Sequence, residues 1–243
     1  MKNLLSLLVI IASLQVSCTD ENIKNTEILD SANNEKKFAK SSAVFQEISP
    51  ENPANIYDIA GKIHNDILDV YLTGNYPCNT IAQISHKVDS ISVWNSDFVN
   101  LETSIPINFQ EIQKIINDPQ LEIEQAIINS QMTNSGQICL SNFMSSILLW
   151  ESNEYSLIHQ CIISFETTVI NNNQFSQEDK RIILTTSSIA RHSLYYQKER
   201  KDKDWETSIG NRAGAVQGAI DNSSTAVNKS IVTGLAIQNL QTE

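Results

Sequence analysis

The sequence predicts an all-α protein: an irregular helical bundle of about seven helices, followed by a C-terminal glycine-rich helical hairpin. Three observations support this fold class. Apolar residues recur at spacings of three and four along most of the chain after residue 50, which is the period of an amphipathic helix. The chain has only seven glycines and five prolines, whereas many-stranded sandwiches need more turn residues. Residues that favour helix ends flank several of the periodic segments.

The first two helices are bounded by residues that favour caps. A helix is predicted from about residue 56 to Gly74, because glycine is the residue most often found just after a helix end. A second helix is predicted to start at Asn79 or Thr80, either of which can act as N-cap, and to run to Phe98.

Five further helices are predicted between residue 106 and Arg200. Breaks at prolines and polar clusters give four of them, at about 106–116, 119–131, 138–150 and 155–169. Residues 147–150, Ile-Leu-Leu-Trp, could instead form a strand. The fifth helix should begin at Ser176, because Ser176 and Asp179 have the spacing of a capping box.

The composition changes after residue 204, and Gly210, Gly214 and Gly218 recur every four residues. This spacing places them on one helical face, the pattern of a glycine zipper. Each glycine weakens a helix by about 1 kcal/mol relative to alanine, so the pattern predicts a close backbone approach. The tail could form a hairpin of about 207–221 and 225–240 that packs on the main domain or on itself. It could also oligomerise or insert into a membrane; charged flanking residues favour packing.

The N-terminus has the layout of a secretory signal. Lys2 precedes an apolar run that is shorter than the roughly 20 residues of a membrane span. Residues 1–17 are therefore predicted to be a signal peptide. Residues 18–48 are rich in Asn, Asp, Glu and Ser and should form a flexible acidic tether. A helical domain, 49–200, and the glycine-rich tail, 205–243, complete the predicted organisation.

The segment Leu14-Gln15-Val16-Ser17-Cys18 resembles the lipobox of bacterial lipoproteins, in the looser form found in Bacteroidota. The resemblance covers residues 1–18 only. It implies cleavage before Cys18, a diacylglycerol on the Cys18 thiol, and anchoring to a bacterial membrane. Asp20-Glu21 is similar to a sorting signal of such lipoproteins, which implies the outer membrane, on its periplasmic or cell-surface face. The alternative is a plain secreted protein in which Cys18 is a free thiol.

The formal net charge of −11 at pH 7 limits the partners of the chain. Nucleic acids and anionic lipids are bound by basic surfaces, so neither is an expected partner. The expected partners are the membrane, through the lipid on Cys18, and an unknown envelope protein.

No catalytic residue, metal site or cofactor is predicted. The four histidines, His64, His86, His159 and His192, are scattered and do not have the spacing of a metal motif. Cys78, Cys139 and Cys161 do not form a CxxC motif. They are either buried small side chains or include a Cys139–Cys161 disulfide, which an exported protein could form.

The sequence therefore predicts a non-enzymatic interaction or structural lipoprotein of the cell envelope. The alternative is a membrane-active or antagonistic exported protein that acts through its glycine-rich tail. An enzyme is the least favoured class, because no pattern positions a nucleophile, a base or a metal.

Overall fold

Helices dominate residues 48–199 and 209–240, the parts of the chain that the computed structural model describes. These residues form ten α-helices and no strand, which confirms the all-α prediction. In chain order the helices are α1 (Ile59–Thr73), α2 (Ile81–Ser92), α3 (Ser96–Val99), α4 (Phe109–Asn117), α5 (Pro119–Asn129), α6 (Asn134–Trp150), α7 (Tyr155–Asn171), α8 (Gln177–Glu199), α9 (Ile209–Asp221) and α10 (Ser223–Leu240).

Several helix ends lie where the capping residues predict them. Gly74 is the C-cap of α1. Thr80 is the N-cap of α2, and its hydroxyl accepts a hydrogen bond from the backbone N–H of Gln83. Before α8, Ser176 Oγ accepts from the backbone N–H of Asp179 at 3.0 Å, and Asp179 Oδ2 accepts from that of Ser176 at 2.9 Å. The predicted capping box is thus complete in both directions.

The second predicted helix is divided in two. Helix α2 ends at Ser92, and Asn95 then caps the four-residue α3 by accepting a hydrogen bond from the backbone N–H of Phe98 at 2.9 Å. An asparagine side chain that bonds the backbone in this way competes with a continuing helix. Residues 147–150 are helical rather than extended, as the last turn of α6.

Helix α8 is surrounded by other helices. It contacts α1, α6, α7, α9 and α10, and residues 182–194 are buried around the whole circumference of the helix. Ile182, Ile189 and Tyr196 recur every seven residues along α8, and all three are buried. The Thr-Thr-Ser-Ser segment at 185–188 is buried as well, although its composition is typical of a solvent-facing turn.

Helices α9 and α10 form the most extensive helix–helix contact among the described residues. Helix α10 also packs against α1, α2, α4 and α8, and α9 packs against α4, α5 and α8. Residues 223–236 of α10 are buried. The hairpin therefore contributes a large part of the core around which the earlier helices are arranged.

Candidate functional site

A network of buried charges joins the turn before α1 to α7 and α8. Arg191 on α8 is fully buried, and its Nη2 donates to Asp58 Oδ1 and, at 3.2 Å, to Glu166 Oε1. Burial alone would raise the pKa of Asp58, but the hydrogen bond to His192 and the charge of Arg191 outweigh it and lower the pKa to about 2. Asp58 is therefore ionised at neutral pH and compensates the arginine charge.

The second carboxylate of the network has its own set of donors. Glu166 is fully buried and accepts hydrogen bonds from Asn52 Nδ2 at 2.5 Å, Asn55 Nδ2 at 3.2 Å and Ser187 Oγ at 2.8 Å. An unpaired buried carboxylate would be costly, and these donors together with Arg191 satisfy it. The network thereby fastens the chain before α1 onto α7 and α8.

His64 lies beside this network in a neutral form. Its Nδ1 is 3.0 Å from Asn65 Oδ1, and its Nε2 is 3.1 Å from Asn211 Nδ2. Since an amide oxygen can only accept and an amide nitrogen can only donate, Nδ1 carries the proton and Nε2 accepts. Burial penalises the charged form and lowers the pKa of His64 to about 4, against a smaller opposing effect of the Asn65 hydrogen bond.

Three of the four histidines come together in the fold. His192 Nε2 lies 3.4 Å from Asp58 Oδ1. The pKa of His159 is lowered, chiefly by burial and then by the charge of Arg191. His86 is exposed on α2, away from this cluster. No group of three or more His, Cys, Asp or Glu side chains in 48–199 or 209–240 is arranged to hold a metal ion.

The network has paired charges, but it is almost completely shielded from solvent. Arg191 and Glu166 have no solvent exposure, and Asp58 exposes only 16% of its side chain. A substrate would have to displace Arg191 to reach these carboxylates, which would leave buried charges uncompensated. We therefore assign these residues to the stability of the fold.

The exposed positions within α6 and within α7 have a different character, because they carry no charge; the nearest exposed charge along the chain is that of Glu154, in the loop between the two helices. Residues 125–150 contain no Asp, Glu, Lys or Arg, and the one charged residue of α7, Glu166, is buried. The exposed side chains of the two helices are serine, threonine, asparagine, glutamine and four large apolar residues. These four are Ile138, Leu148, Leu149 and Leu157. We call this region the uncharged α6–α7 surface.

Gly210, Gly214 and Gly218 lie in α9 and are buried. A Cβ atom on Gly214 would come within 2.5 Å of the backbone oxygen of Lys229 on α10. One on Gly218 would come within 2.5 Å of the Cα atom of Ala226. Gly210 occupies the first turn of α9. At Gly214 and Gly218 the two backbones are thus closer than any side chain would permit.

The cysteines do not form a site. Cys78 is buried, Cys139 and Cys161 are half-buried, and all three are free thiols. Burial raises the pKa of the Cys139 thiol to about 11, so little of it is the reactive thiolate at neutral pH. Cys18 lies outside the described residues.

None of the described helices is long and apolar enough to cross a membrane. Compared with known proteins, the chain matches no family model and has no significant match to a curated protein or a solved structure.

Neither the charge network nor the uncharged α6–α7 surface was predicted from the sequence. The network joins residues as far apart as Asp58 and Arg191, which are separated by 133 positions. A contact over such a distance cannot be recognised from a local sequence pattern. The uncharged surface did have a signal: the absence of charge from residues 125–150 in an otherwise acidic chain.

Proposed function

We propose that the protein is an exported, lipid-anchored interaction protein of the bacterial cell envelope, which binds another envelope protein through its uncharged α6–α7 surface. In this proposal Cys18 carries the lipid, and residues 18–48 hold the helical domain away from the bilayer. A flexible segment of about 30 residues has a root-mean-square span of roughly 30 Å. That distance would leave the surface free to meet a partner.

The observation that carries the proposal is the missing charge on two consecutive helices, which are joined by the stacked rings of Phe143 and Phe165, 4.3 Å apart. The chain has a formal net charge of −11, yet α6 and α7 expose none of it. Depletion of charged residues is the compositional mark of the centre of a protein–protein interface. Ile138 is 62% exposed and Leu149 is 77% exposed, and such side chains gain about 1.5–3 kcal/mol each when fully buried.

Four hydroxyl groups of this surface are also inexpensive to bury. Ser145 and Ser146 donate their hydroxyl hydrogens to backbone oxygens of α6, and Thr167 and Thr168 donate theirs to backbone oxygens of α7. Because these donors are already bonded within their own helix, a partner can cover them without leaving a buried donor unsatisfied.

The alternative, a membrane-active tail, has less support. The glycine face of α9 is occupied by α10, and residues 223–236 are buried. Inserting the hairpin into a bilayer would expose the core surfaces that it now covers. It would also place the polar side chains of α9 and α10 in hydrocarbon.

The proposal is tested by site-specific photo-crosslinking of the full chain in intact cells of the source organism. A photoreactive residue replaces Ile138 or Leu149 in separate variants. The matched control places it at Lys114, which is exposed on α4. We expect one discrete heterologous adduct from both α6 positions and none from the control. Introducing Leu157→Glu into the Leu149 variant should reduce the adduct, because it puts a charge into the interface.

Two outcomes would overturn the proposal. If the α6 positions yield no adduct, or the same adducts as Lys114, the surface is not a binding site. If the adduct has twice the mass of the chain, the surface joins two copies of this protein, and the proposed envelope partner is wrong.

A further inference from the structure

A second feature of the surface is a pocket between α1 and the end of α2, remote in sequence from the uncharged α6–α7 surface. Its volume is about 430 Å³, within the range of small-molecule sites. Ile67 and Val70 of α1 face Ile91 of α2 across it, and Tyr76 and Trp94 complete the walls. Trp94 is 88% exposed, which is unusual for a tryptophan side chain.

Two charged side chains line the pocket, and they differ in how they are compensated. Asp66 is paired with Lys62, whose Nζ is 3.1 Å from Asp66 Oδ2 and 2.9 Å from Asp97 Oδ2. Lys87 forms no ion pair with any residue of the described ranges. Its Nζ lies 4.2 Å from the centroid of the Tyr76 ring.

The Tyr76 contact positions Lys87 without neutralising it. A cation over an aromatic face gains about 0.5–1 kcal/mol at an exposed site, and the ring carries no net charge. The pocket therefore offers one oriented ammonium group that forms no ion pair within the described ranges, next to an apolar and aromatic wall. A ligand that matches it needs an anionic group at one end and an apolar body.

We infer that the α1–α2 pocket binds an amphipathic organic monoanion, such as a carboxylate with an aliphatic or aromatic body. The carboxylate pairs with the Lys87 ammonium group. The apolar body lies against Ile67, Val70 and Ile91 and is covered by the Trp94 ring. A cationic ligand would have to compete with Lys62 for the Asp66 carboxylate, which lies 3.1 Å from the Lys62 Nζ that Asp97 shares.

Decanoate is the probe for this site. The full chain, carrying Cys18→Ser so that no acyl group competes for the pocket, is titrated with decanoate in a calorimeter, and tryptophan fluorescence is followed in parallel. We expect saturable binding and a change in tryptophan emission that is lost in Trp94→Phe, since the chain also contains Trp150 and Trp205. Lys87→Ala should weaken decanoate binding by about five-fold, the upper range for an exposed ion pair. It should leave decanol binding unchanged, and Lys87→Arg should retain the decanoate affinity.

Three controls make the result decisive. Lys114→Ala removes an exposed lysine outside the pocket and should not alter decanoate binding. Val70→Asp places a negative charge in the wall and should weaken decanoate binding more than decanol binding. Circular dichroism confirms that each variant is folded. The inference is overturned if decanoate does not saturate, if decylammonium binds as tightly as decanoate, or if Lys87→Ala and Lys114→Ala behave alike.

Discussion

The guanidinium group of Arg191 is shared by two carboxylates from different parts of the chain, Asp58 before α1 and Glu166 in α7. Its Nε and Nη1 atoms make no hydrogen bond to the described residues, so the group is held mainly by the two opposite charges. Removing it would leave one fully buried carboxylate and one nearly buried carboxylate without a cation. The loss should therefore be far larger than for an exposed ion pair.

Replacing Arg191 with methionine tests this role of the network. We expect Arg191→Met to lower the free energy of unfolding by about 3–5 kcal/mol, as measured by urea denaturation. The matched control is Lys62→Met, which removes an exposed lysine that is also shared by two carboxylates and should cost less than about 1 kcal/mol. Equal losses in the two variants would show that the buried network does not stabilise the fold.

His64 should make the stability of the protein depend on pH. Its pKa is about 4 in the folded chain and about 6.5 when unfolded. Between these two pKa values the unfolded chain binds a proton that the folded chain does not bind. The free energy of unfolding therefore falls as the pH drops from about 6.5 to about 4. The full effect is on the order of 3 kcal/mol. Urea midpoints measured across this range should decline less steeply in His64→Gln than in the wild type.

The exposed His86 provides the control for this prediction. His86→Gln changes the same residue type outside the buried cluster, and its stability profile should follow that of the wild type. If His64→Gln and the wild type lose stability in parallel between pH 6.5 and 4, the burial of His64 is not the cause of the acid sensitivity.

Residue-scale prediction from the sequence was limited by distance along the chain. His64 and His192 could be recognised only as isolated histidines, since their shared surroundings depend on contacts such as Asn211 to His64, 147 positions apart. The buried Ser187 and Ser188 have the composition of a turn, and only the tertiary partners Glu166 and Asp58 account for their burial.

At the scale of single helices, the residue types at the helix ends predicted the structure more accurately. Thr80, Ser176 and Gly74 cap helices in the structure as their residue types predict, because capping depends on neighbours within a few positions. The split between α2 and α3 was missed for a related reason. Apolar spacing continues through the break, and Asn95, whose side chain caps the start of α3, lies within an apparently periodic segment.

The crossing of α9 and α10 yields a prediction for Gly214. Gly214→Ala should gain up to about 1 kcal/mol of helix propensity, but its Cβ atom would lie 2.5 Å from the backbone oxygen of Lys229. Backbone cannot move aside as a flexible side chain can. We therefore expect a net destabilisation of about 1–3 kcal/mol in urea denaturation.

The control for this variant is Gln217→Ala, which changes a half-buried residue of the same helix without adding volume at the crossing. Its effect should be smaller than that of Gly214→Ala. A Gly214→Ala variant as stable as the wild type would mean that α9 and α10 can separate at little cost, which would weaken the role of the glycines in packing.

At the scale of the whole molecule, the fold class could be predicted because glycine and proline are scarce and apolar residues follow helical spacing along most of the chain. The central position of the glycine-rich hairpin could not be predicted. Its sequence differs from the rest in composition, which is typical of an appended segment, whereas its partners on α1, α2, α4, α5 and α8 lie far away in sequence. The distribution of charge shows the same limit: residues 125–150 are visibly uncharged, but only the fold shows which of them face outward.

The attachment of the molecule to a membrane is predicted to depend on Cys18. Wild-type protein should sediment with membranes, and Cys18→Ser should move it to the soluble or secreted fraction, as followed by cell fractionation and immunoblotting. Each buried CH₂ of an acyl chain contributes about 0.8 kcal/mol, and stable anchoring needs more than one chain, so losing the proposed lipidation site should abolish attachment rather than weaken it. Cys161→Ser, which removes a half-buried thiol of α7, is the control and should stay with the membrane.

If Cys18→Ser remains membrane-bound, the anchor is an uncleaved N-terminal segment or the C-terminal hairpin. In the second case, α9 and α10 would have to leave the core in which the structure places them.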